Sequence, residues 1–342
     1  MSHPQSPLPE ANKKPGVFYA LTKDGAELPV VDITHPSFTV SLSDSEQRIL
    51  VEEFLHEPIP FQLLPKRMRN ALLQFLLRGS MLAQGIRQAQ NAFMTGMHIY
   101  LLKLGPEMLG AAYAKPIDRR IAAALPSFAV RLRLQDVANL MAETLLPQLS
   151  LDPHRPLHFL NIAGGPAVDS LNALILLRKA QLGIFASREV SIDVLDLDDA
   201  GPAFGEAALR ALSAPGAPLH QVRVSFRAIR YNWSQTPPLQ QTLNEARARN
   251  ALTICSSEGG LFEYGSDDEV AANLKVLRES DEVCGVVGSV TRADEPIQRL
   301  HQISSAKTVP RGLTAFRSLA ASVGWQVARF IERPFSDQVL LT

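Results

Sequence analysis

Leu157-His158-Phe159-Leu160-Asn161-Ile162 is an apolar run that ends in Ala163-Gly164-Gly165-Pro166-Ala167 and continues into Val168-Asp169-Ser170. A strand that passes through small residues into a helix is how an α/β sheet presents its backbone to a nucleotide-like ligand. The acidic segment Asp193-Val194-Leu195-Asp196-Leu197-Asp198-Asp199 follows about one β-α unit later, where a second strand ends. A carboxylate there can accept both hydroxyls of a ribose. A third strand ends in Arg230-Tyr231-Asn232-Trp233, where the amide of Asn232 can donate and accept and the indole of Trp233 can stack on a ring. The same four residues also read as a plain strand end with a structural Trp. The spacing of the first two signals predicts a small-molecule cofactor site.

Other chemistries find less support. Cys255 and Cys284 each lie in an apolar run and read as reduced core thiols. The eight histidines show no HExxH pattern, so no metal site is expected. No nucleophile elbow or Cys/His pair is present, so covalent catalysis is not expected either. The polar groups left to serve a reacting substrate are His98, Tyr100, Tyr231, Glu258, Tyr264 and His301, each of which also has a structural reading.

Asn161 to Ala167 resembles motif I of the class I S-adenosylmethionine-dependent methyltransferases, in which an acidic or amide residue precedes a GxG-like turn. Ala163 and Ala167 stand where that family has glycines, and Asn161 where it commonly has Asp or Glu. The pattern is not the GxGxxG fingerprint, and no P-loop occurs. The resemblance implies that Asn161, Ala163, Gly164 and Gly165 surround the methionine part of S-adenosylmethionine. It places Asp196, with Leu197 beside it, on the ribose, and Asn232 and Trp233 on the adenine. Asp198 and Asp199 read as helix-start residues.

The segment Cys255-Ser256-Ser257-Glu258-Gly259-Gly260-Leu261-Phe262-Glu263-Tyr264 looks like the E-G-x-x-x-Y stretch of leucine carboxyl methyltransferases and related polyketide O-methyltransferases, with Tyr264 one residue late. That adds Ser257 and Glu258 to the cofactor site. Arg131 and Arg133, with Asp136 after them, resemble the same branch's arginine that pairs with the cofactor's carboxylate; both also read as a solvated helix face. The implied activity is methyl transfer to a small molecule, at oxygen. A hydroxyl acceptor gains from a general base, whereas a carboxylate needs only positioning. A nucleotide-dependent oxidoreductase and a non-catalytic partner of the same fold are the alternatives.

The elements that must position these residues follow from periodicity. At 342 residues and 46% hydrophobic content the chain can bury a large core. Lys+Arg and Asp+Glu are both 34, which gives no drive toward nucleic acid or an anionic membrane. With no apolar leader or spanning run, a soluble cytoplasmic protein with a small-molecule substrate is expected. Nothing in the chain specifies an oligomeric state.

Residues 1–16 read as a disordered tail, 17–151 as a hairpin and a mainly helical lid or substrate-selecting region, and 152–342 as the S-adenosylmethionine-binding domain that the resemblance implies. Lys23-Asp24-Gly25 punctuates the hairpin. Asp44 or Ser45 can cap a helix through about residue 56, and another begins near residue 64. Leu82, Ile86, Ala89, Phe93, Met97, Tyr100 and Leu104 form a stripe that predicts one long helix stopping at Gly105-Pro106. A helix is expected over 128–146, then a linker over 147–156. Strands at 158–162, 190–195, 222–229, 252–256, 282–288, 325–331 and 337–341 alternate with helices, including 267–280, capped by Asp267, and 313–323. This is the α/β pattern of a Rossmann-like methyltransferase sheet, mostly parallel and covered on both faces. The last two strands are too close for a crossover and should pair antiparallel at an edge.

Overall fold

The computed structural model describes residues 8–58, 65, 67–68, 72, 80, 82–83, 94–110, 115–303 and 308–342. A short hairpin, β1 (Tyr19–Leu21) and β2 (Glu27–Pro29), opens the fold, with Gly25 at positive φ in its turn. Helices α1 (Asp44–His56), α2 (Gly96–Lys103), α3 (Pro116–Ala123) and α4 (Leu125–Leu151) follow. The chain then alternates β3 (Leu157–Ile162), α5 (Val168–Ala180), β4 (Val190–Asp196), α6 (Ala200–Leu212), β5 (Val224–Arg230), α7 (Pro237–Ala248) and β6 (Leu252–Ser257). After α8 (Leu261–Tyr264) and α9 (Asp267–Arg278) come β7 (Val283–Thr291), α10 (Glu295–Ile303), α11 (Gly312–Ser322), β8 (Val327–Glu332) and β9 (Ser336–Leu341).

Seven strands form one sheet in the order β5-β4-β3-β6-β7-β9-β8. All pairs are parallel except those of β9, which runs antiparallel to both β7 and β8 and closes the edge hairpin. Every residue of β3, β6 and β9 is buried, as a sheet covered on both faces requires, and the outer strands β5 and β8 are largely exposed. Along β3, Leu157 and Phe159 enter one core and Leu160 and Ile162 the other, the two-residue period of a strand. The chain winds outward from β3 through β4 to β5, then returns to the other side of β3 as β6. The crevice at the carboxyl ends of β3 and β6 is therefore the switch point where ligands bind such sheets.

Several expectations need correction. The stripe of residues 82–104 is not one helix: Thr95 is extended (ψ 154°) and its Oγ1 accepts from His98 N, so a new helix starts at Gly96. Residues 84–93 lie outside the described residues, as does most of the helix expected near residue 64. The stop is where expected, with Gly105 at φ 73°. Helix α4 runs through Pro147 to Leu151, so the linker is shorter than read; Leu145 and Leu149 are buried, and that packing holds the last turns in place. Ser43, not Asp44 or Ser45, caps α1, and Ser266, not Asp267, caps α9, each in a capping box with the glutamate three residues on.

Nor is all of residues 1–16 a loose tail. Leu8 N donates to Glu27, Lys13 pairs with Glu10 and Glu27, and Glu10–Asn12 forms a 3-10 turn. The split at residue 151 also does not separate two cores. One cluster joins Val30, Tyr100, Val137 and Met141 to Phe159, Leu171 and Ile192, and Asn172 of α5 bonds the backbone of Val31 and Ile33.

Candidate functional site

The turn after β3 is built from unusual backbone. Ala163, Gly165 and Ala167 have φ of 55°, 58° and 50°, so both alanines hold a glycine-type conformation despite their Cβ atoms. Left-handed backbone at non-glycine residues costs about 1–3 kcal/mol each and persists only where surrounding contacts demand it. Those contacts are close ones. A Cβ added to Gly96, at the start of α2, would lie 2.5 Å from Gly165 Cα, and one added to Gly201 in α6 would lie 2.8 Å from the same atom. Three backbones thus meet at van der Waals distance around Gly165.

Asp196, at the end of β4, ties the turn down. Its Oδ2 accepts from Gly165 N at 3.0 Å and its Oδ1 from Asp198 N at 2.9 Å. A carboxylate has about four lone-pair sites, so acceptor capacity remains. Burial pushes the Asp196 carboxyl above its ordinary value against these hydrogen bonds.

A cavity of about 190 Å³ opens here, lined by Ala163, Gly164, Asp196, Leu197 and Asp198 from the ends of β3 and β4. Tyr231 and Trp233 after β5, and Glu258, Gly259, Gly260 and Tyr264 after β6, form a second side. Met94, Thr95, Gly96, Ile99 and Lys103 close it from above. Of the residues expected at a cofactor, Ala163, Gly164, Asp196, Leu197, Trp233 and Glu258 are brought together. The others are not. Asn161 is fully buried behind the turn and donates to Asp169 and Ser256. Gly165 faces Gly96 rather than the cavity. Asn232 is exposed and accepts from Ser234 N in its own turn, and Ser257 Oγ is used by Leu261 N. The Arg131 guanidinium lies against Gly105 and the Phe128 ring, outside the cavity.

Glu258 is at the centre of a buried ionic chain. Lys103 Nζ and Arg133 Nε both pair with it, the latter at 2.6 Å, and Arg133 Nη1 continues to Glu263 at 3.0 Å. Burial opposes ionisation of Glu258, but the two cations outweigh it and hold its carboxyl below the ordinary value. Arg133 is therefore an internal ion-pair partner and not part of a solvated face. Buried ions of this kind are tolerated only because each has a partner. Lys103 went unpredicted although a lone lysine inside Ile99-Tyr100-Leu101-Leu102-Lys103-Leu104 is a visible anomaly; it is 3% exposed.

A second cavity of about 260 Å³ shares Met94, Ile99 and Tyr264 with the first. Its walls are chiefly apolar, from Leu102, Ile121, Ala129, Val130, Ile297, Leu300, Ile303 and Phe335, with Arg133, Glu263 and Thr291 among the polar members. Of the candidate reacting groups, only Tyr264 touches both spaces. The Tyr231 hydroxyl donates to Asn273 Oδ1 at 2.5 Å. Tyr100 is packed against Phe204, and its hydroxyl donates to Pro29 O and accepts from Val31 N. His98 is half-buried beside Thr95, His301 pairs with Thr308, burial lowers the pKa of both rings, and neither lines either of these two cavities.

Cys255 is buried and Cys284 nearly so, and burial raises both thiols above their ordinary range. Among the described residues no cluster of three His, Cys, Asp or Glu side chains could hold a metal, and no helix is long and apolar enough to cross a membrane.

No protein-family model matches the chain, and no curated protein matches it. Solved structures do. The chain is similar to magnesium protoporphyrin IX methyltransferase from Synechocystis PCC 6803 with bound SAM, at 12% identity over 63% of this chain and 81% of that one, with a TM-score of 0.37. It is also similar to the pyocyanin biosynthetic protein PhzM, at 14% identity over 87% and 73% with a TM-score of 0.40. An O-methyltransferase family protein from Burkholderia thailandensis aligns at 10% identity over 95% and 79%, again with a TM-score of 0.40. At these identities and TM-scores the likeness transfers no activity to this chain.

Proposed function

We propose that this protein is an S-adenosylmethionine-dependent methyltransferase acting at an oxygen of a small apolar molecule. The observation that carries the reading is a pair of cavities with a shared wall, the first of them at the sheet's switch point. One has a strand-end carboxylate and a left-handed backbone turn, the other is apolar, and they meet at Tyr264, Ile99 and Met94. Asp196 would hold the ribose hydroxyls, the half-exposed Leu197 would lie against the purine, and Ala163-Gly164 would give close backbone approach. Glu258 and Lys103, of opposite charge at one end, suit the ammonium and carboxylate of an amino acid.

S-adenosylmethionine supplies a methyl group already activated on a positively charged sulfur. The protein's own task is then to position the acceptor and exclude water, which fits a sequence with no nucleophile elbow or Cys/His pair. The first cavity, at about 190 Å³, is smaller than the roughly 300–1,000 Å³ of common ligand pockets.

Titration calorimetry with S-adenosylmethionine and S-adenosylhomocysteine tests the cofactor, and labelled-methyl transfer to a panel of phenols and carboxylic acids tests turnover. Binding with no transfer to any acceptor would favour the non-catalytic partner. Failure to bind either compound would overturn the reading.

A further inference from the structure

A third cavity, of about 680 Å³, lies at the amino ends of β4 and β5, the end of the sheet opposite the crevice. Ser191, in its wall, and Asp196, in the wall of the first cavity, are five residues apart on β4, roughly 16 Å at the rise of a strand. The two cavities share no lining residue. At this size the third falls within the roughly 300–1,000 Å³ of common ligand pockets.

Register sets its floor. Ser191 and Ser225 are partners on neighbouring strands, so they lie side by side on one face of the sheet. Arg227, two residues beyond Ser225 on that face, pairs with Glu245 of α7, and Arg249 follows Glu245 by one helical turn. That spacing brings Arg249 to the same side as the serines, and Arg223, just before β5, joins them in the wall. Ser191 is 6% exposed, and its hydroxyl has no hydrogen-bond partner among the described residues, yet it is not sealed from solvent. A buried hydroxyl that is open to a cavity and lacks a partner is a group that a ligand satisfies.

The charges point to the ligand's class. Four arginines and two glutamates line the space. Arg210 pairs with Glu206 on its own helix, and all three nitrogens of the buried Arg188 donate to backbone carbonyls. Arg223 has no hydrogen bond or ion pair to any described residue, and Arg249 bonds through Nε to Glu245 O alone. Glu189, which is exposed, is the carboxylate left in the wall to oppose them. Arg188, Arg223 and Arg249 against Glu189 leave an excess of two positive charges. A carboxylate would match one of them, whereas a phosphoryl group brings a charge of about −1.5 to −2 and three acceptor oxygens. Guanidinium forks beside a hydroxyl suit that geometry.

We propose that the third cavity is a second ligand site, which binds a phosphoryl group through Arg223, Arg249 and Ser191. It is independent of the methyltransferase reading, since it lies at the other end of the sheet.

The test titrates the full chain calorimetrically with inorganic phosphate and with ribose 5-phosphate, in about 0.15 M salt so that diffuse surface attraction is screened. Binding is expected, and saturation with S-adenosylhomocysteine should leave it unchanged. The double variant Arg223→Gln with Arg249→Gln should weaken it by about tenfold or more and Ser191→Ala by about threefold, the scale of lost charge-assisted and neutral hydrogen bonds. Arg48→Gln makes the same change of charge on the exposed face of α1 and should have no effect. Tighter binding of ribose 5-phosphate marks a phosphorylated metabolite as the occupant, and equal affinity marks free phosphate.

Failure of both probes to bind would overturn the proposal. So would an undiminished affinity in the double arginine variant, or a loss in Arg48→Gln as large as in that variant. Displacement of phosphate by S-adenosylhomocysteine would place the anion in the first cavity and overturn it as well. Unchanged affinity in Ser191→Ala would remove the serine from the site.

Discussion

Asp196 has two hydrogen bonds to backbone N–H groups and a face toward the cavity, so its carboxylate both shapes the turn and is available to a ligand. Asp196→Ala is expected to weaken S-adenosylhomocysteine binding by about 1.5–3 kcal/mol, the range for charge-assisted hydrogen bonds, as read by calorimetry. Because burial raises this carboxyl, affinity should fall with acid, beginning at a higher pH than for an exposed aspartate. Asp196→Asn should bind weakly with no such pH dependence. Asp193 is the opposite case. Burial opposes its charge, yet hydrogen bonds from His158 and Arg227 hold it at about 2. A depressed carboxyl stabilises the fold above its unfolded value and loses that contribution as pH falls toward the folded one. Asp193→Asn should therefore cost about 2 kcal/mol in urea unfolding at pH 7, a gap that closes between about pH 4 and 2.

The contact that sets the site is α2 against the β3–α5 turn. Its closeness depends on Gly96 and Gly165 having no side chains. Gly96→Ala should push α2 away from the turn, destabilise the protein by about 1–3 kcal/mol and reduce cofactor affinity. Gly110→Ala, where an added Cβ meets nothing within 4 Å, is the control and should change neither. If both variants melt alike and bind alike, the close approach does not govern the site. Helix α9 follows β6 and α8 and packs beneath Tyr231 through Asn273, so its cap matters as well. Ser266→Ala should lower stability by about 1 kcal/mol, as read by urea unfolding.

Across the whole molecule, the described helices α2 and α4 share one core with the sheet. Helix α4 packs directly on the sheet and supplies Ala129, Val130 and Arg133 to the second cavity, while α2 supplies Ile99 to both. The shared core predicts a single cooperative melting transition by calorimetry and circular dichroism. Two separated transitions would restore a division near residue 151. A ligand that binds only the folded chain should raise that transition, by about 2.7 kcal/mol in stability at a hundredfold excess over Kd.

The strands were legible in the sequence, the outer β5 by its alternation and the inner β3, β4, β6 and β7 as largely apolar runs bounded by turn residues. Burial on both faces leaves that pattern little room to vary. Asp196 was legible too, since a strand end and a spacing of one β-α unit locate a carboxylate whatever the rest of the fold does. What lies between elements was not. Gly165, Asn161 and Ser257 belong to the motif by sequence, but the side chain that meets a ligand depends on which backbone packs behind each turn, and those packing partners lie far away in the chain. The long stripe of residues 82–104 carried helical period straight through Thr95, because periodicity records which residues face a core and not where a backbone changes direction. Lys103, Arg133 and Thr291 became a paired ion, a bridge and an unpartnered hydroxyl only when α2, α4 and β7 were brought together. A lysine's role depends on the charge it meets. That charge, Glu258, is 155 residues away.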